Sequence, residues 1–171
     1  MSKLERYSDQ EWSKIATLPQ LIGGIIAGAD SSGLVGSTKE MFATAKSYLG
    51  GLETYPNNPL IQAIVPNTKD PKAAIGEVEA EKNHLTDQIK AYGVKTKEDL
   101  AVKVLEDCVI VMAVLKEKES ESTVTEFKTW LLEIAENVAN AGTEGDILGF
   151  GGVKFSDKEK TVFNALKDAL K

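Results

Sequence analysis

The chain has 171 residues, of which 42% are hydrophobic and 27% charged, and its formal charge is −6. This composition excludes an intrinsically disordered chain, and the length predicts one globular domain spanning residues 1–171. The acidic balance argues against a nucleic-acid partner, because contacts to phosphates require a basic surface.

Membrane and export signals are not predicted. The longest uninterrupted apolar run, residues 108–115, is far shorter than the roughly 18 residues that a membrane span needs. The charged residues between Met1 and Arg6 are not followed by the apolar core of a secretory signal. We therefore expect a cytoplasmic protein with no membrane span.

The chain contains one cysteine, Cys108, and one histidine, His84. This count excludes an internal disulfide, and one residue of each kind cannot form a structural zinc site with cysteine and histidine ligands. Cys108 lies in an apolar stretch, which predicts a buried and unreactive thiol.

Helix-start signals predict an all-α fold, a compact bundle of about seven helices. Two starts carry proline at the first helical position, after Asn58 and after Asp70. The other five are capping boxes, in which a Ser or Thr and an acid three residues later satisfy backbone amides. They are Ser8/Glu11, Ser37/Glu40, Thr96/Asp99, Thr123/Glu126 and Ser156/Glu159.

The first two helical stretches contain a proline and an apolar stripe. Pro19 either kinks one long helix or follows the start of a second one after Thr17. In the next stretch, three- and four-residue spacing predicts a buried face. That face would consist of Phe42, Ala45, Leu49 and Leu52.

Residues 97–118 are apolar on nearly all sides between Val104 and Leu115, which predicts the central and most buried helix of the bundle. Gly93 is expected to end the preceding helix in a left-handed cap. The charged run at residues 116–122 predicts a solvated, mobile connection to the next helix.

The last third of the chain combines a strong helical stripe with a glycine-rich segment. The stripe predicts one buried helix face made of Phe127, Trp130, Leu131, Ile134, Val138 and Ala141. Residues 147–155 predict a short β-hairpin around a Gly-Gly turn.

One unit occurs twice, once near each end of the chain. In both copies an apolar helical run ends at a small-residue loop, and a capping box opens a second helix. The front copy spans residues 21–49 and the back copy spans residues 131–170. We predict two pseudo-symmetric helix-loop-helix units packed around the helix at 97–118.

Acidic side chains in and beside the two loops are the strongest candidates for a binding site. Asp30 and Glu40 flank the first loop, and Glu144, Asp146 and Asp157 lie in or after the second. Carboxylates near backbone carbonyls and hydroxyls suit a hard cation such as Ca²⁺ or Mg²⁺. The first loop does not fit an EF-hand, and acids at helix starts also interact favourably with the helix dipole, so capping alone remains the alternative.

The front unit resembles a known family. Ile26-Ala27-Gly28-Ala29-Asp30, a glycine-containing turn and Ser37-Thr38-Lys39-Glu40 resemble the core motif of the TerB-like tellurite-resistance proteins, and residues 131–170 do so more loosely. The resemblance implies an all-α fold, acidic residues that bind a divalent metal, and a role in stress response with membrane-associated partners.

The sequence therefore predicts a non-enzymatic helical binding or stress-response module with protein partners, and with a divalent cation near Asp30. One alternative is a structural interaction domain that docks its partner through exposed apolar side chains. An enzyme using Glu144 or Asp146 is less favoured, because no nucleophile–base pair or cofactor motif accompanies these acids. The oligomeric state is left open.

Overall fold

The structure is a computed structural model that describes residues 3–30, 38–67, 71–142 and 156–171. Side chains are described for 3–29, 42–67, 80, 82–141 and 156–171. The described part is all-helical, as predicted, and the hairpin predicted at 147–155 lies outside it. The helices are α1 (Asp9–Asp30), α2 (Thr38–Thr54), α3 (Pro59–Ile64), α4 (Pro71–Tyr92), α5 (Lys97–Lys118), α6 (Glu121–Gly142) and α7 (Asp157–Ala169).

Local sequence chemistry sets most of the helix ends. At α7 the hydroxyl of Ser156 accepts from the amide of Glu159 at 3.1 Å, while the Glu159 carboxylate accepts from the amide of Ser156 at 2.8 Å. Asn58 caps α3 by accepting from two backbone amides. Gly93 has a φ of 64°, the left-handed conformation expected after α4.

The start of α6 differs from the prediction. The helix begins at Glu121, before the expected Thr123/Glu126 box, and the Ser120 hydroxyl accepts from the amide of Thr123 at 3.2 Å. The Glu126 carboxylate instead accepts a 3.0 Å hydrogen bond from the side-chain amide of Asn58. That acid therefore joins α6 to the start of α3.

The connection between α5 and α6 is also tighter than the predicted mobile segment. It consists of Glu119 and Ser120, and the Glu119 side chain is only 7% exposed. Arg6 donates to its carboxylate at 2.5 Å, and Tyr7 donates to the same oxygen. The only arginine of the chain is thus used to hold the amino-terminal segment against this connection.

The central helix is α1, whereas the sequence predicted α5. Helix α1 continues through Pro19 and packs against α2, α4, α5, α6 and α7. Its core side chains, among them Ile15, Leu18 and Ile22, are fully buried. The possibility of a second helix starting after Thr17 is therefore wrong.

Helix α5 has one buried face and one apolar face in solvent. Val104, Cys108 and Leu115 are fully buried, but Val109 is 56% and Ile110 46% exposed. Apolar residues all around a helix normally indicate burial on all sides. Here the other helices, chiefly α1 and α7, cover only one side of α5.

The apolar stripe predicted on α2 is largely exposed. Phe42 is 71% and Leu49 51% exposed, and Ala45 is exposed as well. The side of α2 that packs against α6 contains Tyr48, whose ring stacks on Trp130 at 5.8 Å between centroids, and Gly51. The aromatic contact with α6 therefore determines which way α2 faces.

The stripe predicted on α6 is confirmed. Phe127, Trp130, Leu131, Ile134 and Val138 are all essentially inaccessible, and Ala141 is partly buried. The two repeated units interleave rather than sit side by side. The second helix of each unit packs on the first helix of the other, α2 on α6 and α7 on α1, while α1 and α6 pack together.

Candidate functional site

A cavity of about 540 Å³ lies where the end of α1 meets the first turns of α5 and α7. This volume is in the range of small-molecule sites in proteins. Apolar side chains form the interior, namely Ile25, Leu100, Ala101 and Val162, with Ala29 at the end of α1. Charged side chains form the rim, namely Lys97, Glu98, Asp157 and Lys158.

Two glycines on α1 keep the cavity open. Gly24 and Gly28 are four residues apart and both line it, and a Cβ added at either meets nothing described within 4 Å. Glycine inside a helix costs about 0.5–1 kcal/mol relative to alanine. Close packing does not account for this cost, whereas at Gly23 a Cβ would lie 2.4 Å from Thr44.

Lys97 connects the first turn of α5 to the end of α1. Its ammonium donates to the carbonyls of Gly28 at 3.0 Å and Ala29 at 3.3 Å. The last carbonyls of a helix have no partner within the helix and carry partial negative charge, so a lysine satisfies them well. This contact fixes one wall of the cavity.

Of the five predicted metal-binding residues, the structure describes the side chain of Asp157 alone. Asp157 lies on the first turn of α7 and lines the cavity, whereas Asp30 is the last residue of α1 and follows Ala29, which lines it. Glu40 lies in the first turn of α2; its side chain and that of Asp30 are outside the described set. Glu144 and Asp146 lie outside the described residues altogether.

The described side chains do not form a metal centre by themselves. Within that set, no group of three His, Cys, Asp or Glu residues is arranged to hold an ion. Asp157 is exposed, and its carboxylate lies 3.4 Å from the ammonium of Lys160. A cation at this end of the molecule would need ligands beyond Asp157.

A buried polar cluster lies between α1, α4 and α5. Asp107 is 3% exposed, forms an ion pair with Lys14, and accepts a 2.6 Å hydrogen bond from the hydroxyl of Tyr92. Burial, together with the hydrogen bond to Asp107, raises the pKa of Tyr92. Both carboxylate oxygens of Asp107 are bonded, so the cluster holds three helices together.

The predicted burial of Cys108 is confirmed. Cys108 is fully buried, and burial raises the pKa of its thiol to about 12, with the neighbouring Asp107 charge adding to the effect. Nucleophilic cysteines need a lowered pKa and access to substrate. Cys108 has neither.

A second, more polar groove of about 450 Å³ lies between α2 and α6. Its polar groups bond across the groove, since the indole of Trp130 donates to the Ser47 carbonyl at 3.2 Å and Asn137 donates to the Ser47 hydroxyl at 3.1 Å. These hydrogen bonds join the two helices, so the polar side chains of the groove have a structural role.

The sequence did contain a signal for the α1–α5–α7 cavity that the prediction did not use. Gly24 and Gly28 are spaced by four within an apolar helix, which puts two positions without side chains on one face. Their partners Lys97 and Val162 come from distant parts of the chain, and spacing alone does not reveal them.

Comparison with known proteins adds no family assignment. No protein-family model matches the chain, and no curated protein or solved structure does so either. Of the helices described, none combines the length and apolar character required to cross a lipid bilayer.

Proposed function

We propose that this protein is a non-enzymatic helical binding module that takes a small, mainly apolar ligand in the α1–α5–α7 cavity. The observation that carries the proposal is the pair Gly24 and Gly28, which leave space in the cavity at a cost in helix stability. A position that lowers stability without a packing reason is typical of a functional site.

The lining determines the class of ligand. Ile25, Leu100 and Val162 offer apolar surface, and burying such surface supplies most of the binding energy of small ligands. The charged groups stand at the rim, where Lys158 can receive a polar or anionic end of the ligand. The lining also contains Thr161, whose hydroxyl donates to the backbone carbonyl of Asp157 at 2.8 Å. The described lining residues contain no nucleophile paired with a base, which supports binding over catalysis.

The proposal can be tested with the fluorescent apolar anion anilinonaphthalene sulfonate as the probe. Gly28→Leu adds a side chain to the cavity lining, and its Cβ meets nothing described within 4 Å, so we expect affinity for the probe to fall at least about tenfold in a folded protein. Gly50→Leu is the matched control, because a Cβ there also meets nothing described within 4 Å and the residue lines the other groove. Probe binding unchanged by Gly28→Leu would contradict the proposal.

A divalent cation is the second candidate ligand. Asp157 lines the cavity and Asp30 directly follows Ala29, which also lines it, so two of the five predicted acids belong to this end of the fold. The resemblance to TerB-like proteins supports the same idea, and with it we propose a cytoplasmic role in stress response with a protein partner.

Thermal unfolding of EDTA-treated protein tests the cation. Ca²⁺ or Mg²⁺ at 100 times its dissociation constant would add about 2.7 kcal/mol to the free energy of unfolding. We expect Asp30→Asn and Asp157→Asn each to reduce that gain, with Asp9→Asn, at the opposite end of α1, as the control. If neither ion shifts the unfolding midpoint, the cation proposal is wrong, and these acids act only through their interaction with the helix dipole.

A further inference from the structure

The outward face of α5 is an unexplained apolar surface. Its exposed large side chains are Val102, Val109 and Ile110, and Ala113 in the next turn is also exposed. Val109, Ile110 and Ala113 adjoin one another at helical spacing, and Val102 lies two turns before Val109, with the exposed Glu106 between them on the same face. This surface is here called the α5 stripe. Isolated exposed apolar residues are ordinary, but a stripe of this kind marks a contact surface.

We propose that the α5 stripe pairs with the α5 stripe of a second copy of this chain, with the two helices antiparallel. A symmetric dimer uses the same patch on both copies, so the patch must complement itself. The shape of the stripe allows such self-complementary packing, because its small and branched side chains can alternate across the two-fold axis. Antiparallel packing places Val109 of one copy beside Ala113 of the other.

Two charged residues on the same face of α5, Glu106 and Lys116, favour the antiparallel arrangement. Glu106 precedes Val109 by three residues, and Lys116 follows Ala113 by three. The register that puts Val109 beside Ala113 of the second copy also puts Glu106 beside Lys116 of the second copy. The two-fold axis generates this ion pair twice, once on either side of the apolar contact.

These charges are available for new partners. Glu106 pairs with Lys103 at 2.7 Å, and Lys116 donates to the carbonyl of Lys171 at 2.6 Å, both at exposed positions. Exposed pairs of this kind are weak and exchange readily with other partners. A parallel pairing would instead place Glu106 beside Glu106 and Lys116 beside Lys116, which disfavours it.

The experiment is sedimentation equilibrium of the full chain from about 5 to about 500 µM, since one helix pair buries less than a standard interface and should associate weakly. The average mass of the wild type should rise from monomer toward dimer across this range. Ile110→Asp should remain monomeric and folded, with a urea midpoint only slightly below that of the wild type, because nearly half of the side chain is exposed. Leu49→Asp, on the exposed face of α2, should dimerise like the wild type.

Charge exchange tests the register. Glu106→Lys and Lys116→Glu should each weaken dimerisation at least about tenfold by creating two like-charge contacts, and the double variant should recover most of that loss. A wild type that stays monomeric at the highest concentration would overturn the proposal. So would a dimer that survives Ile110→Asp, one that Leu49→Asp abolishes, or a double variant as weak as the single ones.

Discussion

The hydroxyl of Tyr92 donates a 2.6 Å hydrogen bond to Asp107 and ties the last turn of α4 to the middle of α5. The other oxygen of that carboxylate belongs to an ion pair with Lys14 of α1. Asp107 is almost wholly buried, whereas the Lys14 side chain is 28% exposed. Removing Lys14 would therefore leave a buried carboxylate without a cationic partner, whereas removing the charge of Asp107 would leave a lysine that can still contact water.

Lys14→Met should destabilise the protein by about 3 kcal/mol, because the buried carboxylate then lacks its compensating charge. Asp107→Asn should cost less, about 1 kcal/mol, since the amide oxygen can still accept from Tyr92 and the lysine can reach water. Urea unfolding of both variants measures the difference. Equal losses, or a larger loss for Asp107→Asn, would contradict the assignment of Asp107 as the buried member.

The helix ends could be predicted because their chemistry is local. A Ser and a Glu three residues apart satisfy each other's backbone amides whatever the rest of the fold does, as Ser156 and Glu159 show. The exception is instructive, because Thr123 and Glu126 have the same pattern and the helix starts earlier. There, the Glu126 carboxylate accepts a hydrogen bond from the side-chain amide of Asn58 and does not cap the helix.

The faces of the helices could not be predicted in the same way. On α2 the large apolar residues Phe42 and Leu49 lie outward, because Tyr48 and Gly51 fit the aromatic surface of α6. On α5 the outward apolar residues are as hydrophobic as the inward ones, so periodicity does not distinguish them. The candidate cavity depends on contacts between distant helices, and only the spacing of Gly24 and Gly28 indicated it.

Glu11 should make stability depend on pH in the acid range. Its hydrogen bond from Lys118, together with that from the Ser8 amide, lowers the pKa of the carboxyl from 4.5 to about 2. A carboxylate with a lowered pKa in the folded state stabilises it above the unfolded pKa, and this contribution disappears as pH falls through the folded value.

Glu11→Gln isolates that contribution, because the amide oxygen can still accept from Ser8. The wild type should have the higher urea midpoint at pH 7, and the gap should close as pH falls from about 4.5 toward about 2. Glu5→Gln, at an exposed acid of the adjacent amino-terminal segment that forms no ion pair with the described residues, controls for the general loss of charge. A gap that stays constant down to the lowest pH would show that the ion pair with Lys118 contributes nothing.

Cys108 should react with a thiol-specific disulfide reagent only when the protein opens. The sulfur is inaccessible, and burial raises the pKa of the thiol to about 12, so the reactive thiolate is scarce as long as α5 stays packed against α1. We expect slow labelling of the native protein and complete labelling in urea. Rapid native labelling would mean that α5 separates from α1 far more often than the packing of Cys108 allows.

Neighbouring glycines of α1 should respond to alanine with opposite signs. At Gly24 and Gly28 a Cβ meets nothing described within 4 Å, so each alanine should stabilise the protein by about 0.5–1 kcal/mol through helix propensity. At Gly23 the new Cβ would lie 2.4 Å from Thr44 Cγ2, and on α2 a Cβ at Gly51 would lie 2.5 Å from Trp130 Nε1. Both of those alanines should destabilise, by about 1–3 kcal/mol.

Thermal unfolding of the four single alanine variants shows whether each one stabilises or destabilises the protein. Probe binding then shows whether the stabilising variants affect the cavity. If Gly28→Ala raises the midpoint and weakens binding of anilinonaphthalene sulfonate, stability and cavity volume are in direct opposition at this residue, as the proposed function requires. If Gly28→Ala stabilises and leaves binding unchanged, the glycine is not needed for the cavity. Gly50→Ala, an open helical position on α2 away from this cavity, should stabilise the protein without affecting the probe.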